Sequence, residues 1–535
     1  MTFIMKILTS VQSSVLLLAI YMLLSCKHSS PQEEHYLGEI TSAPPSTIPF
    51  SNYLSINAFE WNFAQEKSHE KIDEERFKLI STFSGVRHYL EWDRIESSPG
   101  RYTFSVSHSG GWDYDEIYRR MSTQQKFLVI DIKGCPQWLL QSYPEGQRDA
   151  ENVPAPFGVD RKLPASYIAQ ARAAFQLAAR YGSNTNIDKS LLSVDTTIRW
   201  TDDPRNTIKV GLGYIKFIEC DNERDKWWKG PQAQQTPEEY AANLSAFYDG
   251  HKGSLGKGVG IKSADPNIQV VMGGIAEADP AFVERMIAWC RTNRGSKPDG
   301  SVNLCFDVIN YHLYANDAFN NNGKSSTGIA PELSNLRSTA SNFLKMSATS
   351  ASSIPVWVSE TGYDIVQGST QRAIPIGNKS SLITQADWNI RTALLYSRTG
   401  IDRCVFYMLD NADANSSTQY SSSGFINPDF SRRPSADYFL QANALMGDYR
   451  YQGTINADPI VDVYVKGQKR LYVLTVPDQT GRTENYQLDL AGSANALVHR
   501  FDIGKSLMSV QRIASPGGKL NVSVSETPIF IEAEN

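Results

Sequence analysis

The chain has 535 residues, 41% of them hydrophobic and 20% charged, with 52 basic against 57 acidic side chains. These proportions belong to a globular chain and exclude a disordered or collagen-like one. A formal net charge of -5 leaves no basic field to track a phosphate backbone, which excludes nucleic acid as a partner.

The first segment opens with Lys6 and carries an apolar run from Val15 to Leu24. That run is too short to cross a bilayer as a mature helix, which needs about 20 residues. The ending Leu23-Leu24-Ser25-Cys26 resembles the lipobox of bacterial lipoproteins, in which the Cys is acylated and becomes the new N-terminus. The alternative is an ordinary cleaved signal with a chance cysteine. The resemblance implies a signal peptide over residues 1–25 and lipidation at Cys26. It also implies an exported protein, on the outer-membrane surface or in the periplasm, that meets the membrane through this anchor only. Residues 26–49, rich in Ser, Pro and Glu, read as a flexible tether. The other five cysteines, Cys135, Cys220, Cys290, Cys305 and Cys404, lack metal-ligand spacing and are expected as small buried hydrophobes.

Strand-like runs follow at Leu54–Phe59, Val86–Leu90, Phe127–Ile132, Tyr214–Ile218, Ile268–Met272, Phe306–Tyr311, Pro355–Val358 and Arg403–Leu409. Helical patterns alternate with them at Glu70–Phe83, Tyr114–Thr123, Pro164–Tyr181, Pro237–Tyr248, Pro280–Arg294, Glu332–Ser347, Thr384–Arg398 and Pro434–Leu445. Thr236-Pro237-Glu238-Glu239 and Asp279-Pro280 are helix starts, and Gly182 and Gly400 stand where helices close. Strands and helices alternating in this way predict an α/β fold, a (β/α)8 TIM barrel over residues 50–448. A doubly wound open sheet is the competing architecture, but no GxGxxG follows the first strand. From Tyr449 the texture changes to short strands and turns, predicting a small all-β sandwich over 449–535 that packs beside the barrel.

Barrels of this kind react at the C-terminal ends of their strands. Those ends hold Val86-Arg87 with Trp92, Cys135-Pro136-Gln137-Trp138, Asn222-Glu223, His312-Leu313-Tyr314, Ser359-Glu360 and Tyr407. The inventory contains carboxylates and aromatic rings, with no metal-ligating cluster, phosphate cradle or serine nucleophile motif. Paired carboxylates among aromatic rings suit glycoside chemistry, in which one acid protonates the leaving oxygen while another supports the oxocarbenium-like carbon.

Asn222-Glu223 on the fourth strand and Ser359-Glu360 on the seventh resemble the paired signatures of the retaining glycoside hydrolases of clan A, and the likeness runs over residues 50–445. The Arg87 and Trp92 region, the turn Pro99-Gly100-Arg101-Tyr102-Thr103-Phe104, the Pro136-Gln137-Trp138 stretch and the His312-x-Tyr314 pair are similar to families 5 and 39 of that clan. The resemblance implies Glu223 as acid/base and Glu360 as nucleophile. It implies Asn222 on the sugar 2-hydroxyl, Arg87 orienting Glu360, and His312, Tyr314, Trp138 and Tyr407 lining the site. Trp227 and Trp228, just after Glu223, either stack on a leaving-group sugar or belong to the core. Arg87 is alternatively a structural partner of Asp131 or Glu91. Two positions depart from the pattern: Arg224 stands where these families often have Pro, and Tyr407 where many have Trp. The implied activity is hydrolysis of β-glycosidic bonds in an oligo- or polysaccharide by a monomer without cofactor or metal. A non-catalytic glycan-binding lipoprotein and a transglycosylase using the same residues are the alternatives.

Overall fold

The computed structural model describes residues 45–534 except 106–111, 199, 202, 204, 318–326, 414–415 and 417. Cys26, the expected signal peptide and most of the expected tether lie outside the described residues. Eight parallel strands form one sheet: β1 (Ser55–Ala58), β2 (Gly85–Glu91), β3 (Phe127–Lys133), β4 (Phe217–Cys220), β5 (Gln269–Met272), β6 (Ile309–His312), β7 (Val356–Thr361) and β8 (Arg403–Phe406). Their spatial order is β5-β4-β3-β2-β1-β8-β7-β6. The bridges Val271↔Val308 and Ile275↔Tyr311 join β5 to β6, so the sheet closes into a barrel. Helices α1 (Glu74–Ile80), α2 (Tyr114–Thr123), α3 (Ile168–Tyr181), α4 (Pro237–Asp249), α5 (Pro280–Asn293), α6 (Leu336–Ser350), α7 (Ser381–Thr399) and α8 (Pro434–Met446) follow the strands in turn. This is the predicted (β/α)8 architecture.

The helix starts behave as their sequences require. Thr236 forms a capping box with Glu239 ahead of α4, and the Asp279 side chain accepts the Ala281 N–H at 2.9 Å ahead of α5. Gly400 ends α7 in the left-handed region at φ 87°. Gly182 ends α3 differently, at φ -69°. What requires glycine there is space, because a Cβ would come within 2.5 Å of the Asp265 carboxylate. The expected helix Glu70–Phe83 is shorter than predicted. Ser68–Ile72 is a strand paired with Ala64–Gln65, and α1 begins only after Asp73, whose carboxylate caps the Glu75 and Arg76 N–H groups.

Alternation along the barrel strands sorts side chains into two layers. At the N-terminal end Val129, Val271, Val308 and Trp357 pack together with Phe127 and Phe217. Towards the C-terminal end Asn57, Arg87, Asp131, Glu219, Asn310 and Ser359 all turn inward, fully buried. The large apolar core lies outside the strands, between them and the helices.

Eight antiparallel strands follow: β9 (Arg450–Ala457), β10 (Ile460–Lys466), β11 (Lys469–Thr475), β12 (Glu484–Asp489), β13 (Asn495–Arg500), β14 (Ser509–Ala514), β15 (Lys519–Val524) and β16 (Ile529–Glu534). Six form one sheet, and β12 pairs with β15 across a separate core. β9 was not expected, because its Gly453 and polar residues hide a strand that pairs with β10 through two register shifts. Residues 46–49 were expected as the end of the tether. The structure corrects this: the Ser46 N–H donates to the Tyr451 carbonyl at 2.8 Å and Pro49 bridges to Arg450. Buried ion pairs tie the β region to the barrel helices. Lys379 bridges Asp387 at 2.8 Å and Glu526 at 3.0 Å, and Arg398 meets Asp462 at 2.7 Å.

Candidate active site

The site forms where β4 and β7 open onto the barrel mouth. Beyond β4 the chain turns sharply, with Asp221 at φ 66° and Glu223 at φ 51°, conformations that L residues rarely adopt. The turn is braced on all sides. The Asp221 carboxylate accepts the Asn222 N–H at 2.8 Å and pairs with buried Arg224 at 2.6 Å. The Glu223 N–H donates to the Gly274 carbonyl at 3.0 Å. Arg224, where the resembled families often have Pro, also donates to the carbonyls of Glu151 and Ala233, so it anchors the turn that aims Glu223. Gly273 and Gly274 are required beneath it. A Cβ on the first would come within 2.1 Å of the Asp221 carbonyl, and on the second within 2.1 Å of His312 Nε2.

Glu360 at the end of β7 is buried and held by three donors. Arg87 Nη1 donates to its Oε1 at 3.0 Å, the Tyr89 hydroxyl donates to the same oxygen, and Tyr314 Oη donates to Oε2 at 2.9 Å. His312 Nδ1 lies 3.6 Å from Oε1. Burial pushes the Glu360 carboxyl up. His312, Arg87 and the two tyrosine hydroxyls outweigh burial and hold it below the usual carboxylate range. His312 sits between the two acids, with Nδ1 at 2.8 Å from Glu223 Oε1 and Nε2 at 3.0 Å from Ser359 Oγ. Burial opposes its charge, but the carboxylates of Glu360 and Glu223 raise its pKa above the ordinary histidine value.

One carboxylate oxygen of Glu223 and one of Glu360 lie within 4.8 Å of each other and of a His312 nitrogen. Among the described residues this is the one group whose His and carboxylate atoms converge enough to meet a cation. Beneath it Arg87 collects a buried set of acceptors: Glu219 at 2.7 and 2.8 Å, Asn222 Oδ1 at 2.8 Å, Asp131 at 3.1 Å and Asn57 at 3.2 Å. Both readings of Arg87 therefore meet in one guanidinium, which orients Glu360 and pairs with Asp131. Its bond also occupies the Asn222 carbonyl oxygen, leaving the amide nitrogen as the hydrogen-bonding group of that side chain.

The cleft around these groups encloses about 790 Å³, within the range of small-molecule sites. Phe59, Tyr89, Tyr314, Tyr407 and Tyr420 line it on the Glu360 side, and Trp227 and Trp228 on the Glu223 side. Tyr407, where many of the resembled families have Trp, meets Tyr89 and Tyr420 edge-on at 6.4 and 6.2 Å. Trp138 does not reach the cleft. Its indole N–H donates to the Glu96 carbonyl at 2.9 Å and its ring packs edge-on against Trp92. Tyr89, Tyr420 and the Gly273-Gly274 pair belong to the site without having been singled out from the sequence. Tyr89 falls two residues after Arg87 on the same strand, and that period was the signal available for it.

No protein-family model matches the sequence, and no curated protein matches it. Among solved structures, the chain is similar to a family 39 glycoside hydrolase from Bacteroides cellulosilyticus WH2, with a TM-score of 0.59 at 15% identity over 91% of this chain and 81% of that one. It is also similar to a family 39 β-xylosidase from Caulobacter crescentus, with a TM-score of 0.52 at 13% identity over 93% and 98%. A family 30 endoxylanase from Clostridium papyrosolvens C71 gives 0.51 at 10% identity over 91% and 97%. The fold shared with these glycoside hydrolases is a (β/α)8 barrel followed by a β region.

Proposed function

We propose that the chain is a retaining β-glycosidase that hydrolyses an oligo- or polysaccharide with two glutamates and no cofactor. The observation that carries this reading is the convergence of Glu223 and Glu360, from the ends of β4 and β7, to oxygens within 4.8 Å. Retaining glycosidases place their carboxyls about 5–5.5 Å apart, whereas inverting ones leave roughly 6.5–9.5 Å for a water. The likeness of the fold to a family 39 β-xylosidase and a family 30 endoxylanase supports the same reading.

In the first step a Glu360 oxygen bonds to the anomeric carbon while Glu223 gives its proton to the departing glycosidic oxygen. In the second, Glu223 takes a proton from water, whose oxygen bonds to the anomeric carbon and releases Glu360. Arg87, Tyr89 and Tyr314 keep Glu360 ionised and aimed. The Asn222 amide nitrogen addresses the sugar 2-hydroxyl, Tyr407 walls the same sugar, and Trp227 meets the leaving group. His312, bridging Ser359 and Glu223, holds the acid/base in place. The polypeptide works as a monomer, anchored through acylated Cys26 to a bacterial membrane outside the cytoplasm.

Incubation with an activated 2-fluoro glycoside tests the reading. Mass spectrometry should find the sugar esterified to Glu360. Label on another residue, or normal turnover by Glu360→Ala, would refute the assignment.

A further inference from the structure

We infer that the rim beyond Glu223 is a built platform for a leaving group at least two sugar rings long, with Glu277 as its positioning residue. The inference rests on reading Glu223 as the acid/base. Trp227 and Trp228 follow that residue by four and five positions and are 62% and 47% exposed at the cleft mouth. Two neighbouring indoles left in water on the edge of a polar cleft mark a binding surface rather than a packing one. Their rings stand 88° apart with centroids 6.1 Å apart, so both cannot lie on the same face of one sugar. Each therefore addresses a different ring or a different side of a chain of rings.

The platform is fixed in register with the acid. The Trp227 indole N–H donates to Glu277 Oε1 at 2.6 Å, which sets the angle of the ring and leaves its apolar face for a ligand. Glu277 is held in turn by Asp225, whose buried carboxylate accepts the Ala276 N–H at 2.9 Å and the Glu277 N–H at 2.8 Å. The same loop offers the Gly274 carbonyl to the Glu223 N–H at 3.0 Å. One pair of braced loops thus carries both the proton donor and the two indoles, and stacking energy there would be realised with the glycosidic oxygen at Glu223.

The test compares β-linked xylo-, gluco- and manno-oligosaccharides with leaving groups of one to three rings against the matching aryl glycosides. In the wild type kcat/KM should rise with leaving-group length, by about two- to tenfold per stacked ring. Trp227→Ala and Trp228→Ala should flatten that rise, losing more kcat/KM with each added leaving-group ring than on the aryl glycosides. Glu277→Ala should lose part of it through KM, and Glu277→Gln, which keeps an acceptor, should recover it. No dependence on length, or equal losses on aryl substrates, would overturn the platform. If the wild type turns over no glycoside, the proposed function fails and binding decides the platform separately. The same oligosaccharides should then quench indole fluorescence in the wild type but not in the double Trp variant, and equal binding by both would overturn it.

A second inference rests on separate atoms. We infer that Cys290, in α5, and Cys305, just before β6, close a disulfide when the chain folds in an oxidising compartment. Both are free thiols, buried, with their sulfurs 3.4 Å apart in direct hydrogen-bonding contact. A disulfide requires them to close to a bond length of about 2.05 Å. Each thiol gives up its hydrogen, the two sulfurs bond, and a disulfide-bearing oxidant takes the two electrons and two protons and leaves as two thiols. Peptide mapping of the oxidatively folded full chain should find the Cys290 and Cys305 peptides joined until reductant separates them. Reduction should also lower Tm by a few degrees. Both cysteines recovered as free thiols would overturn the pairing, as would a Cys290→Ser chain with unchanged Tm in oxidant.

Discussion

The two ends of the barrel interior are built from the same strands and do opposite work. At the N-terminal end Val129, Val271, Val308 and Trp357 fill the lumen with apolar side chains. Towards the mouth the alternation continues, but the inward positions become Arg87, Asp131, Glu219 and Asn310, fully buried as well. The first layer stabilises by leaving water, at about 1.5–3 kcal/mol for each large side chain. The second removes charges from water and recovers the cost only through its mutual hydrogen bonds. A strand that reads as apolar and ends as charged has exchanged stability for a positioned charge, and β2, with Arg87, β3, with Asp131, and β4, with Glu219, all make that exchange.

Changes at the mouth should therefore abolish chemistry, and changes at the floor should touch stability alone. The largest expected effect is Glu360→Ala, which should cut turnover of every substrate by roughly 10⁴-fold or more, measured with an activated aryl glycoside. Glu223→Ala should cost about 10²–10⁴-fold on poor leaving groups and much less on dinitrophenyl glycosides, which depart without a proton. Equal loss on both would remove Glu223 from its role. Arg87→Met should destabilise the fold by about 3–5 kcal/mol in denaturant titration, because Asp131, Glu219 and Glu360 lose their shared partner.

His312→Gln should show most plainly in the pH dependence. Glu360 has its folded pKa below the ordinary carboxylate value, so its contribution to stability is present above that value and lost as pH falls through the lowered one. His312 has its folded pKa raised, so its contribution is complete below the ordinary histidine value and lost as pH rises through the raised one. Of the groups that lower Glu360, His312 is the largest, and its removal should move the acid limb of kcat/KM to higher pH. An unmoved limb would separate His312 from the nucleophile. The smallest effect belongs to the floor, where Val271→Ala should cost about 2 kcal/mol and leave kcat/KM unchanged within twofold.

The same contrast decides what could be read from the sequence. The barrel strands were legible as short, largely apolar runs, except that the expected Tyr214–Ile218 lies mostly ahead of β4 (Phe217–Cys220), whose inward Glu219 broke the apolar run. Glu223 and Glu360 stood out as carboxylates at strand ends. The role of Tyr89 was hidden because its partner, Glu360, is 271 positions away. Gly273-Gly274 carried no sequence signal of its own, since only the approach of Asp221 and His312 shows why a Cβ is forbidden there. Trp138 was misplaced because an aromatic after a strand end looks alike whether it faces the cleft or, as here, bonds to Glu96. The helix predicted from Glu70 failed where Asp73 capped a later start, a local competition that periodicity over a longer window averages away.

The spacing of Glu223 and Glu360 is the central claim, and the anomeric form of the first product tests it most directly. Proton NMR during early hydrolysis of a β-glycoside should show the β anomer before mutarotation, because in the proposed mechanism Glu360 forms a covalent intermediate and water then enters from the face the leaving group vacated. The α anomer appearing first would contradict the account, even if both glutamates proved essential.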